Sequence, residues 1–323
     1  MKVSVLVNAD AGSVRRSTST DFGNLIREGL ALRGVGADVH LIPGREIKVR
    51  AAALVAQAGK AGEGKPMTLV IGGGDGTLGS VATLLADTPA VMGILPLGTL
   101  NHFARDLGLG RGIEAALDVI AAGHVRTIDV AEINGRVFVN NASIGVYPFI
   151  VAERTVEQRR RGASKLAAIG PALLRTLRAS SWQRVTISVE GSAREVRTPC
   201  VFIGNNFYDL AALGRRKDLS AGELCVYVVK QQTLLGLVLL PLKILLGLSH
   251  PERDVELLKV HRLSIRSTHR HLRLATDGET SKEPTPLVFR IRPQALRVLA
   301  PEVGGPPQDL TAEPAADTAV PGG

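Results

Sequence analysis

The stretch Thr68–Leu85, TLVIGGGDGTLGSVATLL, constrains this chain more than any other. Its apolar run Leu69-Val70-Ile71 reads as a buried strand. Gly72, Gly73, Gly74, Asp75, Gly76 and Thr77 then lead into a segment with helical spacing at Leu78, Val81, Leu84 and Leu85. A strand that becomes a helix through glycines lets backbone N–H groups approach an anion, because no Cβ stands in the way and the helix N-terminus adds partial positive charge. The pattern predicts a phosphate cradle. Asp75 sits inside it, and a carboxylate beside phosphates is unfavourable unless a metal, a proton or a substrate hydroxyl shares the site. Asp75 is therefore a candidate for chemistry. The same residues also suit a tight turn in which Asp75 caps the helix.

The chain around this stretch alternates strand and helix. Lys2–Val7 and Asp38–Ile42 read as strands, Asp21–Arg33 and Ile47–Ala58 as helices. A further strand, Val91–Leu95, ends in Pro96-Leu97-Gly98-Thr99-Leu100-Asn101, and a helix follows through Leu109. Strand–helix alternation implies right-handed crossovers and a parallel sheet, with ligands outside the carboxyl ends of its strands. Three loops reach that edge: one with Asn8 and Gly12, one with Asp75, and one with Gly98 and Thr99.

From Thr127 the texture changes to short β segments. Ile128–Ile133, Val137–Ala142, Arg184–Glu190, Thr198–Ile203, Glu223–Lys230, Val255–Ser267, Leu272–Ala275 and Leu287–Arg292 read as strands, with turn signals at Asn134-Gly135, Glu190-Gly191 and Asp277-Gly278. A length of 323 residues favours two domains. The expected organisation is an α/β nucleotide-binding domain with a parallel sheet over residues 1–126, completed by 293–302, then a β-sandwich over 127–292. The tail 303–323, rich in Pro, Gly and Ala, has nothing to bury and is expected to be disordered. Val151–Leu177 and Thr233–Leu248 read as helical interruptions. The second is shorter than the ~20 apolar residues of a membrane span and contains Pro241 and Lys243. It suits a core-packing helix pair or an apolar surface at the mouth of a site.

A formal charge of +9 favours anionic partners: nucleotides, nucleic acid or an anionic membrane. Aromatic content of 3% argues against single-stranded nucleic acid, whose bases need stacking platforms. Arg159-Arg160-Arg161 and Lys165 suit either anionic head groups or a solvated face. Cys200 and Cys225 lie in apolar runs without ligand spacing, so buried thiols are expected and zinc is not. The first residues, MKVSVLVNADAGS, suit a strand rather than a signal peptide, and the expected location is cytoplasmic, peripheral at the inner membrane surface.

Taken in order, Gly73-Gly74-Asp75-Gly76-Thr77, Pro96-Leu97-Gly98-Thr99-Leu100-Asn101 and Asp277-Gly278-Glu279 resemble the diacylglycerol kinase catalytic family, whose bacterial lipid kinases and sphingosine kinases share these motifs. The resemblance covers roughly residues 1 to 300. It implies an α/β domain followed by a β-sandwich, ATP in the cleft between them, and phosphorylation of a lipid hydroxyl at a membrane surface. By that resemblance Gly73, Gly74, Asp75, Gly76, Thr77, Leu78, Gly79 and Thr99 would contact ATP, with Asn8, Gly98 and Asn101 on the same edge, and Glu279 would be the catalytic base. Local sequence alone equally makes Glu279 a surface residue of a hairpin.

Two departures stand out. Where many members of the family carry Asn-Asp after the second motif, this chain has Asn101-His102. The family's bacterial lipid kinases hold a structural Mg²⁺ with two aspartates spaced by three and a nearby backbone carbonyl, and the matching segment runs Asp218, Leu219, Ser220, Ala221, Gly222, Glu223. Asp218 and Glu223 remain as metal candidates, but Ala221 replaces an expected carboxylate, so a weak or empty site is expected. Mg²⁺ is still expected with ATP. GGDGT alone also fits a NAD kinase, and the departures leave room for a catalytically silent nucleotide- or lipid-binding module.

Overall fold

The computed structural model describes residues 2–12, 14, 19–61, 66–110, 112–145, 182–209, 215–216, 218–230, 233, 236 and 254–302. The helical readings over 151–177 and 233–248, the Arg159–Arg161 run and the tail lie outside these residues, except for Thr233 and Gly236. Among the described residues no helix is long and apolar enough to cross a membrane.

The first half runs β1 (Lys2–Asn8), α1 (Ser19–Leu32), β2 (Gly36–Ile42), α2 (Gly44–Ala61), β3 (Thr68–Gly73), α3 (Asp75–Leu85), β4 (Val91–Pro96), α4 (His102–Asp106) and α5 (Ile113–Ala122). β3 and β4 are buried along almost their whole length, as parallel strands covered on both faces must be. β1 pairs in parallel with β2 on one side and β3 on the other, and β3 pairs with β4. The order β2-β1-β3-β4 therefore reverses direction between β1 and β3. That reversal opens a crevice at the strands' carboxyl ends, where Asn8 and Gly74 lie.

The helix expected through Leu109 stops at Asp106 instead. Gly108 takes a left-handed φ of 83° just past the helix end, the position where a glycine terminates helices. A separate helix, α5, follows and packs on β4, which the sequence reading did not anticipate.

The second half runs β5 (Val125–Ile133), β6 (Arg136–Phe138), β7 (Asn141–Gly145), β8 (Gln183–Val189), β9 (Ser192–Thr198), β10 (Cys200–Asn205), β11 (Tyr208–Asp209), β12 (Arg215–Arg216), β13 (Leu224–Val229), β14 (Val255–Val260), β15 (Arg262–Ser267), β16 (His271–Thr276), β17 (Glu279–Pro284) and β18 (Leu287–Leu299). Asn134-Gly135, Glu190-Gly191 and Asp277-Gly278 all form two-residue hairpin turns with positive φ at both positions. Asn-Gly and Asp-Gly favour that turn, whose twist matches the flanking strands, and Glu190 adopts it at φ 49° with Gly191 beside it. The single strand read over Val255–Ser267 breaks at His261, so β14 and β15 join different sheets. Two hairpin partners, β9 and β17, were not anticipated. Both are exposed and polar, without an apolar alternation to reveal them.

β18 joins the halves. It pairs antiparallel with β5 and β15, passes a bulge between Arg292 and Leu296, and then pairs in parallel with β4 at Arg297–Val91 and Val298–Met92. One 10-stranded sheet thus continues from the nucleotide-type half into the sandwich. A six-stranded sheet, β14-β13-β10-β7-β16-β17, packs against its sandwich end. Between them lie Ile144, Ile203, Val226, Leu263 and Leu274, with Phe138 edge-on to Phe289 at 6.4 Å. Neither cysteine is in a disulfide; Cys225 is buried, and burial pushes its thiol up to about 12.

Candidate active site

The glycine loop sits at the crevice between β1 and β3. Gly74 is the N-cap of α3 in extended conformation, and no side chain caps this helix. The first N–H groups of a helix have no intrahelical partner, so the turn Asp75-Gly76-Thr77 offers donors and positive potential to an anion. Across the crevice, the Asn8 side-chain amide donates to Thr77 Oγ1 at 3.2 Å, while Asn8 Oδ1 accepts the Asp10 N–H at 2.9 Å. Asn8 therefore ties the end of β1 to the first turn of α3. Leu78 is fully buried in the core and Gly79 is buried, so Leu78 presents no side chain to the crevice.

The second loop packs directly on the first. A Cβ on Gly98 would stand 2.6 Å from Gly74 Cα, so only glycine permits this approach. Asn101, in left-handed conformation, accepts the Gly98 N–H at 2.8 Å and donates to the Gly98 and Pro96 carbonyls at 2.9 and 3.2 Å. Its side chain is engaged in holding the loop. Thr99 and Leu100 are exposed beside it.

Asp75 caps a helix, but not its own. Its two carboxylate oxygens accept the His102 N–H at 3.1 Å and the Phe103 N–H at 3.0 Å, at the start of α4. His102 is held below its ordinary pKa chiefly by burial, against the opposing pull of Asp75, with Arg105 adding to the lowering. Arg105 Nη2 stands 2.8 Å from His102 Nδ1, which suits a neutral ring accepting there.

The third motif comes from the sandwich. The β16–β17 turn carries Asp277 and Glu279 across to α3: a Cβ on Gly79 would stand 2.5 Å from Asp277 Oδ2, and one on Gly76 would stand 2.7 Å from Glu279 Cδ. Glu279 is exposed toward the cleft. Asp277 is half-buried as a residue, but its carboxylate turns inward and accepts the Val139 and Asn140 N–H groups at 3.0 and 2.8 Å. Burial pushes its pKa up to about 7; those two N–H donors oppose the rise, and the Asp75 charge adds to it.

The residues of the metal segment are otherwise engaged. Asp218 closes a turn onto the Ser220 N–H at 2.8 Å, the Glu223 side chain pairs with Lys259 at 2.8 Å, and the Glu223 carbonyl accepts the Asn206 N–H at 3.0 Å. Among the described residues no group of three or more His, Cys, Asp or Glu could hold a metal ion. This segment does not fit a structural Mg²⁺.

The sequence reading missed Arg216 and Asp106. They form a buried ion pair at 2.8 Å, with side chains 0% and 1% exposed, between α4 and β12. Arg216 sits in a basic run, and nothing local distinguishes a buried arginine there from a solvated one. A depression of about 460 Å³ lined by Ser188, His261, Arg262 and Arg266 shares no residue with the glycine loop or the Asp277–Glu279 turn.

Residues 2–133 match the diacylglycerol kinase catalytic domain, and residues 144–300 match the YegS C-terminal NAD kinase beta sandwich-like domain. The chain is 34% identical over 256 residues to a probable lipid kinase YegS-like of Pseudomonas fluorescens, covering 72% of this chain and 77% of that protein. It is 43% identical over 79 residues to a diacylglycerol kinase of Staphylococcus saprophyticus, covering 24% of this chain and 26% of the other. Among solved structures it resembles a putative diacylglycerol kinase from Bacillus anthracis, with TM-score 0.66 and 23% identity over 94% of this chain and 96% of that one. That likeness concerns the fold.

Proposed function

The chain belongs to the diacylglycerol kinase catalytic family, and from that premise we propose that it is an ATP-dependent lipid kinase acting at a membrane surface, with Glu279 as its base. The observation that carries this reading is the position of Glu279 over Gly76, which sets a carboxylate of the sandwich against the first turn of α3. Phosphoryl transfer asks the protein to hold the nucleotide, neutralise charge and orient the attacking oxygen.

In this reading the uncapped first turn of α3 and the Gly74–Gly98 contact cradle the ATP phosphates. Glu279 accepts the proton of the lipid hydroxyl from the opposite wall. Asp75 anchors α4 through two backbone N–H groups, and Asn8 and Asn101 fix the loops. Mg²⁺ bound with ATP would supply charge neutralisation at the transferring phosphates. Incubating the protein with labelled ATP and Mg²⁺, in parallel with diacylglycerol micelles and with NAD, tests the reading. Label in the lipid supports it; label in NAD alone rejects it.

A further inference from the structure

Arg216 bridges the two walls of the cleft. All three of its guanidinium nitrogens are engaged: Nε with Asp106 Oδ2 at 2.8 Å, Nη1 with the Val139 carbonyl at 2.6 Å and the Asn205 carbonyl at 3.2 Å, and Nη2 with Asn140 Oδ1 at 3.0 Å. Its Cζ stacks 5.4 Å from the centre of the Tyr208 ring. On one side, Asp106 is the last residue of α4, whose first N–H groups are held by Asp75 in the glycine loop. On the other, Val139 and Asn140 give their N–H groups to Asp277, two residues before Glu279. A single planar fork thus joins the strut that ends at Asp75 to the strut that ends at Glu279.

We infer that Arg216 is a positioning residue for phosphoryl transfer: it fixes Glu279 relative to the glycine loop across the cleft. The inference rests on the reading of Glu279 as the base. Lysine keeps the charge but has no planar fork, so it reaches Asp106 or the Val139–Asn140 segment and not both. The turn bearing Glu279 is then free to shift relative to α3, and misplacement by about 1 Å costs on the order of 10²-fold in rate.

A double-mutant cycle of Arg216→Lys with Glu279→Gln, on the full chain with ATP and lipid micelles, separates positioning from bulk structure. The expected result is a loss of about 10²-fold in kcat for Arg216→Lys alone, with ATP affinity by calorimetry unchanged. In the Glu279→Gln background the same change should alter kcat by less than about 2-fold, the usual error of additivity. Equal losses in both backgrounds, or a loss confined to ATP affinity, would overturn the positioning role while leaving Glu279 as base. Normal turnover by Glu279→Gln alone would overturn both. Should Arg216→Lys not fold, Asn140→Ala removes one acceptor and keeps the Arg216–Asp106 pair. A kcat loss that vanishes in the Glu279→Gln background supports the inference there too, and an undiminished loss or none at all overturns it.

Discussion

Glu279 lies over Gly76, its Cδ 2.7 Å from the point where a Cβ on that glycine would stand. In the proposed reading this glycine serves twice, once for close approach of phosphates and once for the carboxylate opposite. Gly76→Val should abolish ATP binding and turnover while circular dichroism stays that of the parent. Unchanged ATP affinity by calorimetry would contradict a phosphate cradle at this turn.

Gly98 faces backbone rather than a flexible side chain, 2.6 Å from a Cβ position to Gly74 Cα. Gly98→Ala should therefore destabilise by about 1–3 kcal/mol, the range for overpacking. Gly12→Ala, with nothing within 4 Å of its Cβ, is the control and should stay near neutral. Urea unfolding of both variants checks this; equal stabilities would mean that the two loops do not touch as described.

The sequence revealed what rests on local chemistry. Three Xaa-Gly turns marked hairpins because only certain residues accept positive φ, and the glycine run marked the α3 turn because only glycine admits the backbone so close. What it concealed depends on distant partners. The cap reading of Asp75 was right in kind and wrong in helix, since the N–H groups it holds lie 27 and 28 residues away. Nothing near Arg216 in the chain marks it as a buried cation, because its partner Asp106 lies 110 residues earlier. β17 escaped because ETSKEP has no apolar face to bury. β18 continued past Arg292 because a bulge, with Gln294 at φ 51°, lets it pass Pro293 without losing its partner.

Asp277 gives the protein a pH signature. Burial lifts its carboxyl from the ordinary 3.8 to about 7. The folded state therefore keeps a proton that the unfolded chain has already released between those values. This group's contribution is fully present below the ordinary carboxylate range and is lost as pH rises toward 7. Asp277→Asn keeps an Asx-Gly turn and removes the titration, so unfolding free energies measured from pH 4 to 7 should fall less steeply with rising pH than in the parent. Identical slopes would place the proton elsewhere.

Ala221 offers a gain-of-function test. Without ATP, the thermal midpoint of the parent should not respond to millimolar Mg²⁺, because Asp218 closes a turn and Glu223 pairs with Lys259. Ala221→Asp adds the missing carboxylate and should introduce an Mg²⁺-dependent upward shift. A shift in the parent that Asp218→Ala removes would show that the segment binds the ion as it stands.

The central claim is that Glu279 takes the proton from a lipid hydroxyl, and steady-state turnover of Glu279→Gln with ATP and lipid micelles tests it most directly. Glutamine keeps the shape and loses the basicity, so kcat should fall by ~10²–10⁴, the range for general-base catalysis. ATP affinity should hold, because the glycine loop belongs to the other wall. Asp75→Asn is the comparison: it replaces one of two acceptor oxygens at α4 with a donor and should cost about 1–3 kcal/mol of stability. Near-normal turnover by Glu279→Gln, with Asp75→Asn folded and inactive, would contradict the account and move the base to Asp75.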